Sequence, residues 1–445
     1  MIKFVNGTLV TGDGSTVLEN TCITINGDRI ASIGGPSEDP LFTGEVIDAS
    51  NCVIMPGVIN HHMHGVTMGP LHPSATDRLT REEALRHQHI HLCQGTTTVL
   101  SNDGFVTMDE IEEARKLSPL NIQPGTSHTP SCLRAAQAAD GAGLLEHNIQ
   151  MTADSMIMQG AVALAEIGGG VTLGGGGVDY LYLPRAIKKY TGRTIETLQA
   201  RKLKYAVIGR YVDPSAYDKK RVAEVLHEIG LDDVLTPEQA KDITLNVVMP
   251  SMEITFKGFL EAAEIGKKYH LPAVYHHSAP SMYQIKNLCE NYSGVIVAHT
   301  NHPTFETDET IRFAKELKAL GGILDWAVLD IFGRKTVCES PEAFYEAFKH
   351  NLVDLVSTDY AGGYWDSILL GLEMVINKGY ASLPYAIGTA TYNVAKAIPL
   401  LAPQRGLLKP GYIADIVVAS RQHLSQVHYV LINGKLVVKD AHVTV

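Results

Sequence analysis

Residues 56–65 read Pro-Gly-Val-Ile-Asn-His-His-Met-His-Gly, and the histidines at positions 62 and 64 are the first residues able to do chemistry. The apolar run Cys52–Met55 leads into Val58 and Ile59, so the segment is predicted to be a buried strand. Alternate residues of a strand share a face. His62 and His64 are therefore expected to aim two imidazoles at one point, which suits a divalent cation. A lone His-x-His is weak evidence, because solvated strand ends produce it too. Its weight comes from further polar residues that close apolar runs elsewhere in the chain.

Glu166 ends Ala161-Val162-Ala163-Leu164-Ala165. His276 and His277 end Ala273-Val274-Tyr275, and strand parity lets only one of them point inward. His276 continues the phase of Val274 and is the expected ligand, with His277 the alternative. His299 ends Val295–Ala298, and Asp359 ends Leu352–Thr358. Each alone has an ordinary structural reading. Together they give the donors that two cations a few Å apart require: several imidazoles, a bridging carboxylate and a further acid. Glu166 would bridge. A water between two cations ionises near neutral pH, which predicts a bridging hydroxide and a polarised substrate carbonyl. Asp359 would ligate one cation, take the water's proton and pass it to a leaving nitrogen.

Such a set needs a frame that brings distant strand ends together. Strand candidates are Val53–Ile59, Thr96–Leu100, Val162–Glu166, Ile243–Val248, Ala273–His276, Val295–His299, Gly322–Ala327 and Leu352–Thr358. Amphipathic stretches such as Arg81–Cys93 and Glu306–Leu320 lie between several of them. Strand–helix alternation of this kind predicts an α/β fold, a (β/α)8 TIM-like barrel with its site at the C-terminal ends of the strands. A doubly wound open sheet is the alternative. Both chain ends are different in style. Asn6-Gly7, Asn26-Gly27 and Asn433-Gly434 read as hairpin turns between short alternating runs. Neither end can bury a face alone. They are expected to pair into a small β-sandwich of residues 1–55 and 405–445, with residues 56–404 forming the metal-binding barrel. Residues 179–240 read as a helical insertion that would cover the site.

Composition limits the alternatives. The 445 residues are 45% hydrophobic and 19% charged, ordinary for a globular protein. A net charge of −11 argues against nucleic acid or an anionic membrane as partner. Six scattered cysteines without a Cys-x-x-Cys pair fit a reduced, cytoplasmic chain, and no apolar stretch reaches the length of a membrane span. The expected partner is a small-molecule substrate, and a homo-oligomer is expected.

The residues now resemble a family. Pro56-Gly57-Val58-Ile59-Asn60-x-His62-x-His64 is similar to the first-strand signature of the amidohydrolase superfamily, with Asn60 where Asp is usual. Gly95–Val99, Pro272-x-x-x-His276, Ala298-His299, Ser357-Thr358-Asp359 and Pro410-Gly411-x-x-Ala414-Asp415 extend the resemblance almost end to end, the insertion excepted. The resemblance implies that His62, His64 and Asp359 hold one metal and His276 and His299 the second. Glu166 stands where many relatives carry a carboxylated lysine. Glu166-Ile167-Gly168 and His299-Thr300-Asn301-x-Pro303-Thr304 look most like enamidase, a hydrolase of cyclic unsaturated lactams. The expectation is a binuclear enzyme cleaving a carbon–nitrogen bond other than a peptide bond, in a cyclic or N-substituted amide. Zinc is the expected metal, with iron, manganese or cobalt compatible. A hydrolytic deaminase, a small dipeptidase and a catalytically silent scaffold are the other readings. Relatives that deaminate often carry a Glu soon after the fifth-strand His, and Ser278–Met282 offers no carboxylate.

Some residues read more plainly. His87, His89 and His91 are expected on a solvated helix face outside the barrel. Trp365 could line the pocket or only pack. His302 could meet substrate or support a ligand. Arg210 and Tyr211 could meet a substrate carboxylate. The glycine-rich stretch from Gly168 to Gly177 lacks the Lys-Ser/Thr of a phosphate-binding loop and is expected to be a mobile or tightly turned loop.

Overall fold

The protein, seen as a computed structural model, is described for residues 1–35, 41–168 and 177–444. Eight parallel strands form one sheet in chain order: β1 (Val58–Met63), β2 (Thr96–Ser101), β3 (Asn121–Thr126), β4 (Ala163–Ile167), β5 (Ala273–His276), β6 (Val295–Ala298), β7 (Ile323–Ala327) and β8 (Leu355–Ser357). Residues just past β8 meet β1: the amide of Asp359 donates to the His62 carbonyl, and that of His64 to the Tyr360 carbonyl. The sheet is thus closed into a (β/α)8 barrel, and that closure sets the end of β8 beside the end of β1.

Two strand assignments differ from expectation. Ile243–Val248 is not a strand. It lies inside α5 (Pro237–Tyr269), a helix capped by Thr236, whose side chain accepts from the Gln239 amide while Gln239 returns a bond to the Thr236 amide. Its β-branched residues fit a strand locally, but Ala240, Ile243, Thr244 and Val248 fall on one buried helical face. The strand that takes its place is β3, Asn-Ile-Gln-Pro-Gly-Thr, whose Pro124 and Gly125 read as a turn. A third difference is at Asn6-Gly7. Ile2–Val10 is one continuous strand, and Asn6, at φ 63°, marks an irregularity in its pairing with Val17–Asn26 instead of a hairpin.

Both chain ends meet in a nine-stranded mixed sheet. Cys52–Pro56 pairs with Thr8 and Leu9 on one side and antiparallel with Ile416–Ser420 on the other. One face of the sheet packs around Phe4, Ile23, Ile54 and Leu431, while Met55, Val417 and Val430 on the other face join the barrel core. Gly57 separates the end sheet from β1. A Cβ there would lie 2.1 Å from Oγ1 of Thr97, so only glycine lets the chain pass that close to β2.

The insertion between β4 and β5 has its own core, built by α2 (Leu183–Thr191), α3 (Thr197–Ile208), α4 (Lys219–Glu228) and the first half of α5, as far as Val248. The second half of α5 carries Phe259 and Ala262 into the barrel core. A 33-residue helix of about 50 Å therefore belongs to both bodies. Among the described residues no helix is long and apolar enough to cross a membrane. The glycine-rich loop lies, for residues 169–176, outside the described residues.

Candidate metal centre

The six expected ligands come together at the C-terminal mouth of the barrel. Glu166 is the hub. Its Oε2 lies 3.6 Å from Nε2 of His62 and 3.5 Å from Nε2 of His64. Its Oε1 lies 2.7 Å from Nδ1 of His276 and 3.3 Å from Nε2 of His299. One carboxylate thus turns each oxygen to a different histidine pair. Asp359 closes the first group, with Oδ1 3.5 Å from His62 Nε2 and 3.8 Å from His64 Nε2.

These spacings fit a cation. Donors held about 2.0–2.1 Å from a tetrahedral metal lie about 3.4 Å from one another. In the first group the four separations between histidine nitrogens and carboxylate oxygens, 3.5–3.8 Å, approach that spacing, and in the second His276 Nδ1 and His299 Nε2 are 3.2 Å apart. Several buried ring nitrogens here, among them His62 Nε2 and His276 Nε2, have no hydrogen-bond partner. Buried polar atoms without a partner are rare, and an ion is one standing explanation. The electrostatics agree. Burial alone would depress the His62 and His64 imidazoles, yet Glu166 and Asp359 hold His62 well above its ordinary value, and Asp103 and Glu166 lift His64 to about 9. The first histidine pair thus favours positive charge, while at His276 burial outweighs Glu166 and holds the imidazole below its ordinary value.

The backbone reaches this geometry under strain. His299 and Asp359 have φ of 31° and 53°. Side chains other than glycine rarely adopt this region, and it costs about 1–3 kcal/mol per residue where the surroundings enforce it.

Two acids that sequence reasoning missed hold the histidines in place. Asp103, just past β2, faces His64 Nδ1 at 3.3 Å and accepts from the amides of Gly65 and His72. Asp325, in β7, lies 3.1 Å from His61 Nε2 and 3.6 Å from His62 Nδ1, and accepts from the His299 amide and the Ser357 hydroxyl. The 3.3 Å and 3.6 Å separations set Asp103 and Asp325 beside the far ring nitrogens of His64 and His62 without a formed hydrogen bond, the position from which a carboxylate orients a ligand ring and raises its basicity when the two bond. The signal was present in Ile-Leu-Asp-Trp-Ala, where an acid interrupts an apolar strand.

Of the two adjacent histidines, His276 turns to Glu166, as its parity required. His277 is fully buried on the other side, stacked on Phe305 with ring centres 4.8 Å apart. His276→Asn is expected to lose about 100-fold or more in affinity for a cation. His277→Asn is expected to keep metal and turnover while losing about 1–3 kcal/mol of stability. Metal titration beside thermal melts of the two variants checks this, and the reverse pattern would move the ligand role to His277.

The pocket above the centre is closed by loops and by the insertion. His72, Tyr180, His302, Val337 and Trp365 line it. Trp365 donates to the Gly362 carbonyl at 2.6 Å, which fixes the ring. The His302 ring centre stands 5.1 Å from that of His299 and 5.2 Å from that of His276. The insertion is pinned by a buried ion cluster: Asp179 meets Arg201 at 2.8 Å and Lys204 at 2.6 Å, and Arg201 also donates to the Val337 carbonyl. Arg210 and Tyr211 do not face the pocket. Both engage Glu309 on α6 (Thr307–Ala319), docking the insertion on the barrel's outer helix. The histidine cluster of α1 (Arg81–Cys93) also differs from expectation. His87 and His91 are buried, because α1 packs them edge-on against Tyr360, and His87 Nδ1 lies 2.8 Å from the Gly65 carbonyl.

No family model matches the chain. A stretch of 146 residues, 31% of this chain, is 33% identical to an adenine deaminase of Staphylothermus marinus, and it spans only 22% of that enzyme. The structure of β-aspartyl dipeptidase from Fervidobacterium islandicum AW-1, in complex with the β-Asp-Leu dipeptide, superposes with a TM-score of 0.54 at 13% identity, covering 100% of this chain and 97% of that one. D-Aminoacylase, in a structure addressing its binuclear metal centre, gives a TM-score of 0.54 at 16% identity, again over 100% and 97%. At such identities the likeness establishes a shared fold.

Proposed function

We propose that the chain is a binuclear metal-dependent hydrolase of a carbon–nitrogen bond in an uncharged cyclic or N-substituted amide, a member of the amidohydrolase superfamily closest in motif to enamidase. The division of Glu166, one oxygen to each histidine pair, carries this reading. In it His62, His64 and Asp359 hold one cation, His276 and His299 the other, and Glu166 both. Divalent cations bound there, zinc being well matched to mixed imidazole and carboxylate donors, supply an acidified water and a polarised carbonyl. The protein does the rest. Asp103 and Asp325 keep the histidines aimed. Asp359 takes the proton of the attacking water, whose oxygen bonds to the carbonyl carbon. Asp359 then returns that proton to the nitrogen as the carbon–nitrogen bond breaks, so the products are a carboxylic acid and an amine.

The pocket wall supports an uncharged substrate. Among the described residues it contains no lysine or arginine, and residues 169–176 contain none by sequence. Arg201 and Lys204 of the insertion are turned to Asp179. Glu166, Asp359, Asp103 and Asp325 match the charge of two divalent cations, which leaves no surplus for a substrate carboxylate. The wall is instead apolar at Pro73, Pro303, Leu329, Val337 and Trp365. A dipeptide or N-acyl amino acid would bring a carboxylate into that wall without a counter-ion.

Elemental analysis is expected to find two divalent cations per chain, chelation to abolish turnover, and the metal to restore it. In a screen, lactams, hydantoins and imides are expected to be opened faster than β-aspartyl dipeptides or N-acyl amino acids. Full activity in metal-free protein would sink the reading. Ammonia released from adenine, with no amide opened, would put a deaminase in its place.

A further inference from the structure

We propose that Tyr180, carried into the pocket by the helical insertion, is a catalytic hydrogen-bond donor to the carbonyl oxygen of the substrate. The inference rests on the hydrolase reading above and gives the insertion a chemical task.

Tyr180 lies in a single π-helical turn, Val178–Tyr182. Such turns are rare and recur at functional sites. Its neighbours hold the turn from two sides. Asp179 is fixed by Arg201 and Lys204, and the Tyr182 hydroxyl donates to Ser74 Oγ at 2.8 Å. Between these anchors Tyr180 faces the pocket that Glu166, His276, His299 and Asp359 also line. A donor fixed in this way needs no reorganisation when charge develops opposite it.

The hydroxyl is loosely engaged in the protein alone. Among the described residues its hydrogen-bond partner is His72 Nε2 at 3.4 Å, long for a hydrogen bond made by a hydroxyl. It is therefore free to turn to a better acceptor, and contacts of this kind commonly tighten only when substrate is present. His72 is tied to the same frame as the metal ligands. Its amide donates to Asp103, the acid that faces His64 Nδ1, and its ring centre lies 5.0 Å from that of His64. Burial pushes the phenol further above its ordinary value, so the group stays protonated and can donate. When water adds to an amide, the carbonyl oxygen gains negative charge. A neutral O–H donor gains most at that moment, so its effect falls on the rate more than on substrate binding.

Tyr180→Phe is expected to lower kcat about 100-fold or more with KM little changed, while the variant keeps two metals per chain and the wild-type melting temperature. Tyr190→Phe, which deletes an exposed hydroxyl on α2 of the same insertion, is expected to turn over at the wild-type rate. Methylphosphonate, a tetrahedral oxyanion, is expected to bind metal-loaded Tyr180→Phe about tenfold more weakly than metal-loaded wild type by calorimetry. The proposal is overturned by turnover of Tyr180→Phe within threefold of wild type, by an equal loss in Tyr190→Phe, or by a loss that follows lost metal. If wild type opens no amide, the hydrolase reading fails and methylphosphonate still decides on Tyr180: weaker binding to the variant supports the donor, and equal affinity removes it.

Discussion

Glu166→Gln is expected to lower the affinity for both cations by at least about 100-fold and to abolish turnover at ordinary metal concentrations. The two residues have the same shape, so the backbone of β4 need not move. What changes is charge and donor count. Gln keeps one carbonyl oxygen and turns an N–H2 group toward whatever the other oxygen faced. In this protein each oxygen of Glu166 faces a separate histidine pair, at 3.5–3.6 Å on one side and 2.7–3.3 Å on the other. One substitution therefore injures both groups, whereas His62→Asn or His299→Asn would injure mainly one. Partners that merely support a ligand are worth about 10- to 100-fold in metal affinity, and a shared ligand is worth at least as much. Metal content after dialysis, measured beside wild type, checks this. Two cations retained by Glu166→Gln would show that the carboxylate does not bridge.

That hub was legible in the sequence because strand parity is strict. His62 and His64 are two apart, Val274 and His276 are two apart, and a side chain two positions on lies on the same face. Glu166, His299 and Asp359 stood out because each is a polar residue closing an apolar run. What parity could not give was the partners. Asp103 and Asp325 matter only through their distance to His64, His61 and His62, and no spacing within the chain encodes that distance. The strand count of eight was reached through two compensating errors. Ile243–Val248 has the β-branched composition of a strand, but a capped helix with a buried face on the insertion core claims it. Asn121–Thr126 looks like a turn, yet at β3 its backbone is held by parallel neighbours on both sides. Both are cases in which tertiary context outweighs local preference. The insertion is the least readable part for the same reason. Tyr180 acquires meaning only when Asp179, Ser74 and Glu309 have fixed how the helices sit on the barrel mouth.

Asp359→Asn is expected to reduce kcat by about 10²–10⁴-fold while KM shifts by only a few fold, when assayed with metal in excess. The side chain of Asp359 is 22% exposed, against 6% or less for His62, His64, Glu166, His276 and His299. Of the six candidate ligands it is therefore the one most open to the pocket, where water and the leaving nitrogen must be. Its φ of 53° turns the end of β8 sharply, and its amide is held by the His62 carbonyl, so the carboxylate is fixed against the first histidine pair. Asn preserves that hydrogen bond and the side-chain shape, and an amide oxygen can still approach a cation. It cannot accept a proton from water and hand it to nitrogen. The substitution thus separates proton transfer from ligation. Steady-state kinetics together with metal analysis of the same sample checks the separation. A kcat within tenfold of wild type would take Asp359 out of the proton path and leave it a ligand only. A variant that stays metal-free even in excess metal would make ligation its main task.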